Sequence, residues 1–459
     1  VKYVLLPHTH FYAAETGRPV RELMTQYGSF FSFQEGASLF FSGDALTVYR
    51  NEFSFPHIYS SSPIIVVGGL NALVALGDIP SFDFAGNAIL YAWQNGALET
   101  ALTYSRALLL NDLTFTDLLY TMLLPESSCA RINRQGIVPL ADIERSVIEK
   151  YWVDSRWWFA RGEMVTDYLT ARTRGTSMIT VSCEVVGNPS YYSLLIRAAN
   201  APDTGLLTVL VDGEEVMRLN LASPLFYGFS WYDLPLQLQG GNHVITLKND
   251  GTGLVDIDEV LLVKADVIMS MAKHLTEAIR NSYTRLVFLW EAEKFFGPNL
   301  PKGWELVTLE VDSTNTLVIR GKDATNEDSF RFLWIPKDSY YRIAWRGVVG
   351  SNYGRLHLVI DQDRRLVFNF ARHADNKYEW AESEPVWLKA GLHKFLLESD
   401  GLVDVDKFLL YSIDAHEKTM NVRDLFAVEK NVYVEFARAK PYKYRVHVKA
   451  NDPFLLILC

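Results

Sequence analysis

Gly253-Leu254-Val255-Asp256-Ile257-Asp258-Glu259-Val260-Leu261-Leu262 and Gly401-Leu402-Val403-Asp404-Val405-Asp406-Lys407-Phe408-Leu409-Leu410 are two settings of one ten-residue phrase. The match runs far upstream. Ser190-Tyr191-Tyr192 answers Ser339-Tyr340-Tyr341, Arg197 answers Arg346, Asp212 answers Asp361 and Trp231 answers Trp380, each pair 149 positions apart. His243 in GGNHVITL answers His393 in AGLHKFLL at a spacing of 150. Anchors held at so constant an offset mark one module of roughly 110–130 residues occurring twice. Within the first copy, apolar and polar residues alternate over Ile179–Val185, over Leu206–Val211 ahead of the Asp212-Gly213 turn, and over His243–Leu247. Period-two alternation with turns at intervals of about ten residues predicts antiparallel sandwiches.

The 459 residues suffice for about three domains of ~150 residues, and 49% hydrophobic with 21% charged residues lets each bury a core. A net charge of −10 argues against nucleic acid, where clustered Lys and Arg are needed. Cys129, Cys183 and Cys459 are far apart and odd in number, so neither a disulfide framework nor a zinc site is expected. The most apolar run, Pro63–Leu76, is broken by Gly68, Gly69 and Asn71 and is too short to span a bilayer. The chain begins at Val1 and ends on Pro453-Phe454-Leu455-Leu456-Ile457-Leu458-Cys459, which reads as a fragment or processed piece.

The expected architecture is multi-domain and mainly β. A mixed α/β domain occupies 1–150, a first β-sandwich (jelly-roll) module 151–264, and a helical linker 265–285 with its helix over Ala265–Asn281. A second sandwich follows over 286–413, and 414–459 starts a further β domain, cut short. In the first domain GSFFSF, ASLFFSG and ALTVYRNEF read as short strands. Strands over Pro63–Val67, Ala88–Trp93 and Ala107–Leu110 alternate with helices over Leu70–Leu76, Leu98–Ser105 and Leu113–Met122, the last capped by Asp112. That alternation predicts a small parallel α/β unit.

Acidic pairs open and close the second module. Glu291 and Glu293, like Asp404 and Asp406, are two apart and share a face if each pair lies on a strand. If first and last strands are neighbours, four carboxylates converge, and oxygen ligands without thiol or imidazole suit calcium. The plainer reading is two solvent-facing edges on separate strands.

The opening Glu291-Ala292-Glu293, the Tyr341 to Arg346 strand, Trp380 ahead of Ala390-Gly391-Leu392-His393, and the closing Asp404-Val405-Asp406 resemble the carbohydrate-binding modules of the family 6 and family 35 jelly-roll type. The resemblance implies a structural calcium in the second module, on Glu291, Glu293, Asp404 and Asp406. The first module opens on Arg156-Trp157-Trp158-Phe159-Ala160-Arg161 instead, so no ion is expected there. It also implies sugar binding at the loop end of the sandwich, where C–H faces stack on aromatic rings and edge groups hydrogen-bond. By position the candidates are Trp231, Tyr232 and Asp250 in the first module, and Tyr378, Trp380 and Asp400 in the second. A tryptophan recurring at one place in two modules reads equally well as a core residue. The segment from Lys440 to Leu456 resembles ectodomain segments of large archaeal and bacterial membrane proteins of the glycosyltransferase-associated kind, which implies an extracellular or cell-surface location.

Other signals are weaker. Val66-Val67-Gly68-Gly69-Leu70 lacks the third glycine and the downstream acid of a dinucleotide site and reads as a tight strand-to-helix turn. His8, His10 and His57 read as scattered surface histidines, and Glu126-Ser127-Ser128-Cys129 has no partnered base. The function expected is non-catalytic binding of a polysaccharide or cell-surface glycan, two weak sites gaining avidity on one polymer. The alternatives are a structural subunit or spacer of a surface layer or filament, which partners copies of itself or other surface proteins, and an accessory part of a glycan-processing enzyme.

Overall fold

The computed structural model describes residues 3–7, 37–42, 46–51, 58–69, 71–80, 82–83, 87–91, 102, 105–123, 171–173, 176–185, 187–282, 284–311, 314–325, 329–372, 376–415, 417–427, 432–440, 443–450 and 455–458. GSFFSF, most of the expected helix over 98–105, the opening segment over 156–161, His8, His10, and Glu126 to Cys129 lie outside them. The chain is mainly β and forms two compact units, one of Val1–Ser62, Phe84–Ala88 and Val428–Cys459, the other of Pro63–Asp83 and Ile89–Ala427.

In the first unit β1 (Tyr3–Pro7), β2 (Ala37–Ser42) and β3 (Leu46–Asn51) form an antiparallel sheet with β3 in the middle. The second unit takes up the apolar half of β4 (Ile58–Val67), then helix α1 (Asn71–Gly77). The end of strand β5 (Asn87–Tyr91) from Ile89 on follows, then β6 (Ala107–Asn111) and helix α2 (Phe115–Met122). The cap of α2 is Thr114, not Asp112. Thr114 and Asp117 exchange side-chain-to-backbone bonds in a capping box. Asp112 sits in the left-handed region at φ 55°, and its carboxylate accepts from the Glu291 N–H at 2.7 Å.

The first sandwich comprises β7 (Ala171–Thr173), β8 (Thr176–Val185), β9 (Ser190–Asn200), β10 (Leu206–Val211), β11 (Glu214–Asn220), β12 (Gly228–Leu238), β13 (Gly241–Asp250) and β14 (Val255–Lys264). Its sheets run β11-β10-β13-β8 and β12-β9-β14-β7. Helix α3 spans Ala265–Asn281, as the sequence predicts.

The second sandwich begins with β15 (Arg285–Glu291), β16 (Trp304–Val311), β17 (Thr314–Lys322), β18 (Phe330–Ile335) and β19 (Ser339–Val349). It continues with β20 (Arg355–Ile360), β21 (Arg364–Asn369), β22 (Lys377–Glu382), β23 (Val386–Leu388), β24 (Gly391–Asp400) and β25 (Leu402–Ile413). One sheet runs β18-β24-β20-β21. In the other, β25 pairs β17 and β15 on one side and β19 on its other, with β22 and β23 beyond β19. In the first unit, β26 (Val432–Lys440) and β27 (Lys443–Ala450) form a hairpin, and β28 (Leu455–Leu458) pairs with Ile58–Ser61.

The parallel strands expected from the sequence are present, with a consequence it does not announce. β6 pairs parallel with β4 and, on its other edge, parallel with β15 of the second sandwich. The α/β strands and the second sandwich therefore share one sheet. This explains the uninterrupted apolar run in the repeated phrase. Phe408 and Leu410 enter the sandwich core while Leu409, Tyr411 and Ile413 pack with Ala72, Ala75 and Leu76 of α1. In the first sandwich Val260 and Leu262 face the core, and Leu261 and Val263 meet Leu119 of α2 and Val267 of α3. A strand covered on both faces needs apolar side chains on both.

The recurring Asp–His pairs are turn clamps. Asp212 and Asp361 each adopt φ 52°, and each accepts a 2.8 Å bond from the strand alongside in the sheet, from Val244 N and Lys394 N. The second oxygen lies 2.6 Å from Nδ1 of His243 or His393. The Gln239 carbonyl, then the Asp212 carboxylate, hold His243 above its ordinary value. Its contribution to stability is therefore complete below the ordinary histidine value and fades as pH rises through the raised one. Asp361→Ala is expected to lower stability by about 2 kcal/mol in urea unfolding, losing both the bonds and the tolerance for a left-handed φ. Asp361→Gly keeps the φ and is expected to lose about 1 kcal/mol.

Candidate functional site

The four carboxylates assigned to calcium are brought to neighbouring strands but not into one cluster. β15 and β25 pair antiparallel, with Glu291 opposite Lys407. β15 ends at Glu291, and Ala292–Lys294 form a single 3-10 turn, so Glu293 does not share a strand face with Glu291. The irregular register of β25 against β19 falls at Asp406, between Lys407 opposite Arg346 and Val405 opposite Gly347.

Three of the four acids pair with a basic side chain. Asp404 takes a two-pronged bond from Arg320 at 2.7 and 2.9 Å and a third from the Tyr353 hydroxyl at 3.1 Å. Asp406 pairs with Arg346. Glu291 receives the Lys407 ammonium on both oxygens, at 3.0 and 2.9 Å. Burial pushes Asp406 up to about 6 against the pull of Lys407 and Arg346. Burial, then the Glu291 charge, pushes Glu293 up to about 8, and its Oε2 is enclosed without a hydrogen-bond partner among the described residues.

The sequence-predicted sugar residues fall into two groups. Trp231 and Trp380 are half-buried under helices. The Trp231 ring meets Tyr120 of α2 edge-on at 5.9 Å and packs with Leu119, Leu195 and Leu261. Trp380 packs beside α1 and donates Nε1–H to the Asp78 carbonyl at 3.1 Å. Tyr232 bonds Asn200 at 2.9 Å, and Tyr378 lies beneath the Arg346 guanidinium at 4.7 Å. Asp250 and Asp400 are exposed, Asp250 holding the Thr252 hydroxyl at 2.7 Å. Trp380→Ala is expected to cost about 2 kcal/mol of stability and to leave sugar affinity unchanged, read by thermal unfolding and binding on the same sample.

The open aromatic surface lies elsewhere. Among the described residues strand β18 is the edge of its sheet, and Phe330, Phe332 and Trp334 alternate along its outward face. Phe332 is 51% and Trp334 40% exposed, with Leu392 at 59% directly opposite Trp334. Phe330 and Phe332 meet edge-on at 5.3 Å, and the Lys394 ammonium sits 4.1 Å over the Phe330 ring. In the first sandwich His243 pairs with Cys183 as His393 pairs with Leu333. Thr180, Ser182 and Glu184 therefore occupy the places of Phe330, Phe332 and Trp334, and all three are exposed. The signal was readable in the chain. Thr180-Val181-Ser182-Cys183-Glu184-Val185 alternates polar and apolar, whereas Phe330-Arg331-Phe332-Leu333-Trp334-Ile335 is apolar on its solvent face.

A small crevice lies at the C-terminal ends of the parallel strands, the position where open α/β sheets place ligands. It is lined by Gly68, Asn71, Asn111 and Asp112 with Arg197 and Lys294. Gly68 is required here, since a Cβ would fall 2.9 Å from that of Asn111. Among the described residues no group of three or more His, Cys, Asp and Glu side chains is arranged to hold a metal ion, and no helix is long and apolar enough to cross a membrane.

No family model matches the chain, and no curated protein matches it. Among solved structures, the chain is similar to the carbohydrate-binding module CBM6cm-2 of Cellvibrio mixtus lichenase 5A in complex with cellotriose. Identity is 17% over 27% of this chain and 95% of that one, with a TM-score of 0.21. A family 35 carbohydrate-binding module from an environmental isolate matches at 19% identity over 22% of this chain and 76% of its own, with a TM-score of 0.20. A Paenibacillus xanthan lyase matches at 12% identity and a TM-score of 0.20 over 54% of this chain, which spans 24% of the lyase.

Proposed function

We propose that the chain binds a carbohydrate polymer, without catalysis, on the aromatic face of the second sandwich. The observation that carries this is the exchange of Thr180, Ser182 and Glu184 for Phe330, Phe332 and Trp334 at matching places on two otherwise similar strands. Solvent-facing aromatic rings in a row are costly unless something covers them. Alternate residues of a strand place three rings along about 13 Å, enough for more than one pyranose ring. Sugar C–H faces stack on such rings, and the Lys394 ammonium at 4.1 Å from Phe330 is placed to meet ring hydroxyls. Binding rests on the second sandwich alone, so two-site avidity within one chain is not expected. A polymer ligand of this kind suits an extracellular or cell-surface setting.

The test is affinity electrophoresis and pull-down against a panel of polysaccharides, with the native chain beside Phe332→Ser/Trp334→Glu, which installs the first sandwich's residues. Retardation of the native chain and none of the variant is expected. Equal behaviour of the two, or no binding to any polysaccharide, sinks the reading. The same face lies on an edge strand, which also favours a structural role in which it packs on another copy. Light scattering separates the two: a loss of mass in the variant, without any polysaccharide binding by the native chain, supports the structural subunit.

A further inference from the structure

The sandwich type that the second module resembles carries calcium between its opening and closing strands, and here that place holds two basic side chains. Lys407 follows Asp406 on β25 and is 4% exposed. Its ammonium lies 2.9 and 3.0 Å from the two Glu291 oxygens, 3.1 Å from Asp78 Oδ2 and 3.8 Å from Asp406 Oδ2. Arg346 completes the ring, pairing with Asp406 and reaching Asp78 Oδ1 at 3.3 Å. Asp78 comes from outside the sandwich, just after α1, in the segment that carries the parallel strands.

We propose that Lys407, assisted by Arg346, is the built-in cation of this site, and that the second sandwich is held together there without a divalent metal. Three carboxylates face two fixed positive charges, so all but one of the negative charges are already balanced. A calcium ion needs six to eight oxygens at about 2.3–2.6 Å, while these acids are spread around an ammonium at hydrogen-bonding distance. Admitting the ion would require expelling a buried lysine. The outside acid, Asp78, ties the α1 turn to β15, β19 and β25 through the same two cations. The first sandwich has Glu259 where Lys407 stands, so this device belongs to the second alone.

Thermal unfolding of the full chain tests this. The native melting temperature is expected to stay within about 1 °C in millimolar calcium, in magnesium and in chelator. Lys407→Met removes the internal cation and is expected to melt lower and to regain about 3 °C or more in millimolar calcium, as binding linkage predicts. Lys407→Arg is expected to behave as the native chain. Should Lys407→Met not fold, calorimetry of the native chain and of Glu291→Gln decides. Calcium binding by the native chain that Glu291→Gln abolishes overturns the proposal, as does a chelator-induced fall of about 3 °C in the native chain that Glu291→Gln removes. Absence of both supports it. None of these outcomes depends on whether the aromatic face binds sugar.

Discussion

Phe332→Ser/Trp334→Glu is expected to weaken polysaccharide binding about 30- to 100-fold without lowering stability by more than about 0.5 kcal/mol. Each ring that stacks on a sugar contributes an aromatic contact of about 0.5–1.5 kcal/mol beyond the apolar area it covers. Losing two brings the sum to about 2–3 kcal/mol, which converts to that range. Stability is nearly untouched because the outward side chains of β18 leave the core to Leu333 and Ile335, and these are unchanged. Trp380→Ala is the counterpart, with stability falling and affinity unchanged. Isothermal calorimetry and urea unfolding on both variants give four numbers, and a shared loss of affinity would return the site to the loop end.

Arg197→Met is expected to cost about 3–5 kcal/mol of stability, the largest loss among these substitutions. Arg197 is 2% exposed and pairs with Asp258, which is 0% exposed, while its guanidinium lies 4.9 Å over the Phe229 ring. Removing the arginine leaves a charged carboxylate where water cannot reach it. Arg197→Met/Asp258→Leu removes both charges and is expected to recover much of the loss, since well-packed apolar replacements of buried pairs are often neutral. The matching Arg346 is 19% exposed and shared with Asp78, so Arg346→Met is expected to cost less. Urea unfolding of the three variants checks the order, and a double variant no better than Arg197→Met would show that the pair is not what Arg197 supports.

Strand and helix types were legible where period and turn chemistry act locally. Alternation in Leu206–Val211 placed a strand ahead of the Asp212-Gly213 turn, and the helix over Ala265–Asn281 lies where it was expected. The capping assignment failed at Asp112 because Asp and Thr are both cap formers. What separates them is φ 55° at Asp112, which tertiary bonds to Glu291 and Leu289 impose. The candidate site was only partly legible. The acids of the opening and closing strands do come to neighbouring strands, but composition is silent on which cation each one meets. Trp231 and Trp380 recur as sugar platforms would, yet residues more than a hundred positions away cover them.

By itself, then, the repeated Leu-Val-Asp-x-Asp phrase determined two β-sandwiches and an apolar closing strand in each, because strand alternation and turn residues depend on neighbours in sequence. Only the tertiary structure decided that Leu409 and Leu261 lie under helices, that β6 extends the second sandwich in parallel, and that Lys407 meets Glu291 and Asp78. Those contacts join segments far apart in the chain. Their partners are chosen by burial and by the need to neutralise enclosed charge, which no local pattern encodes.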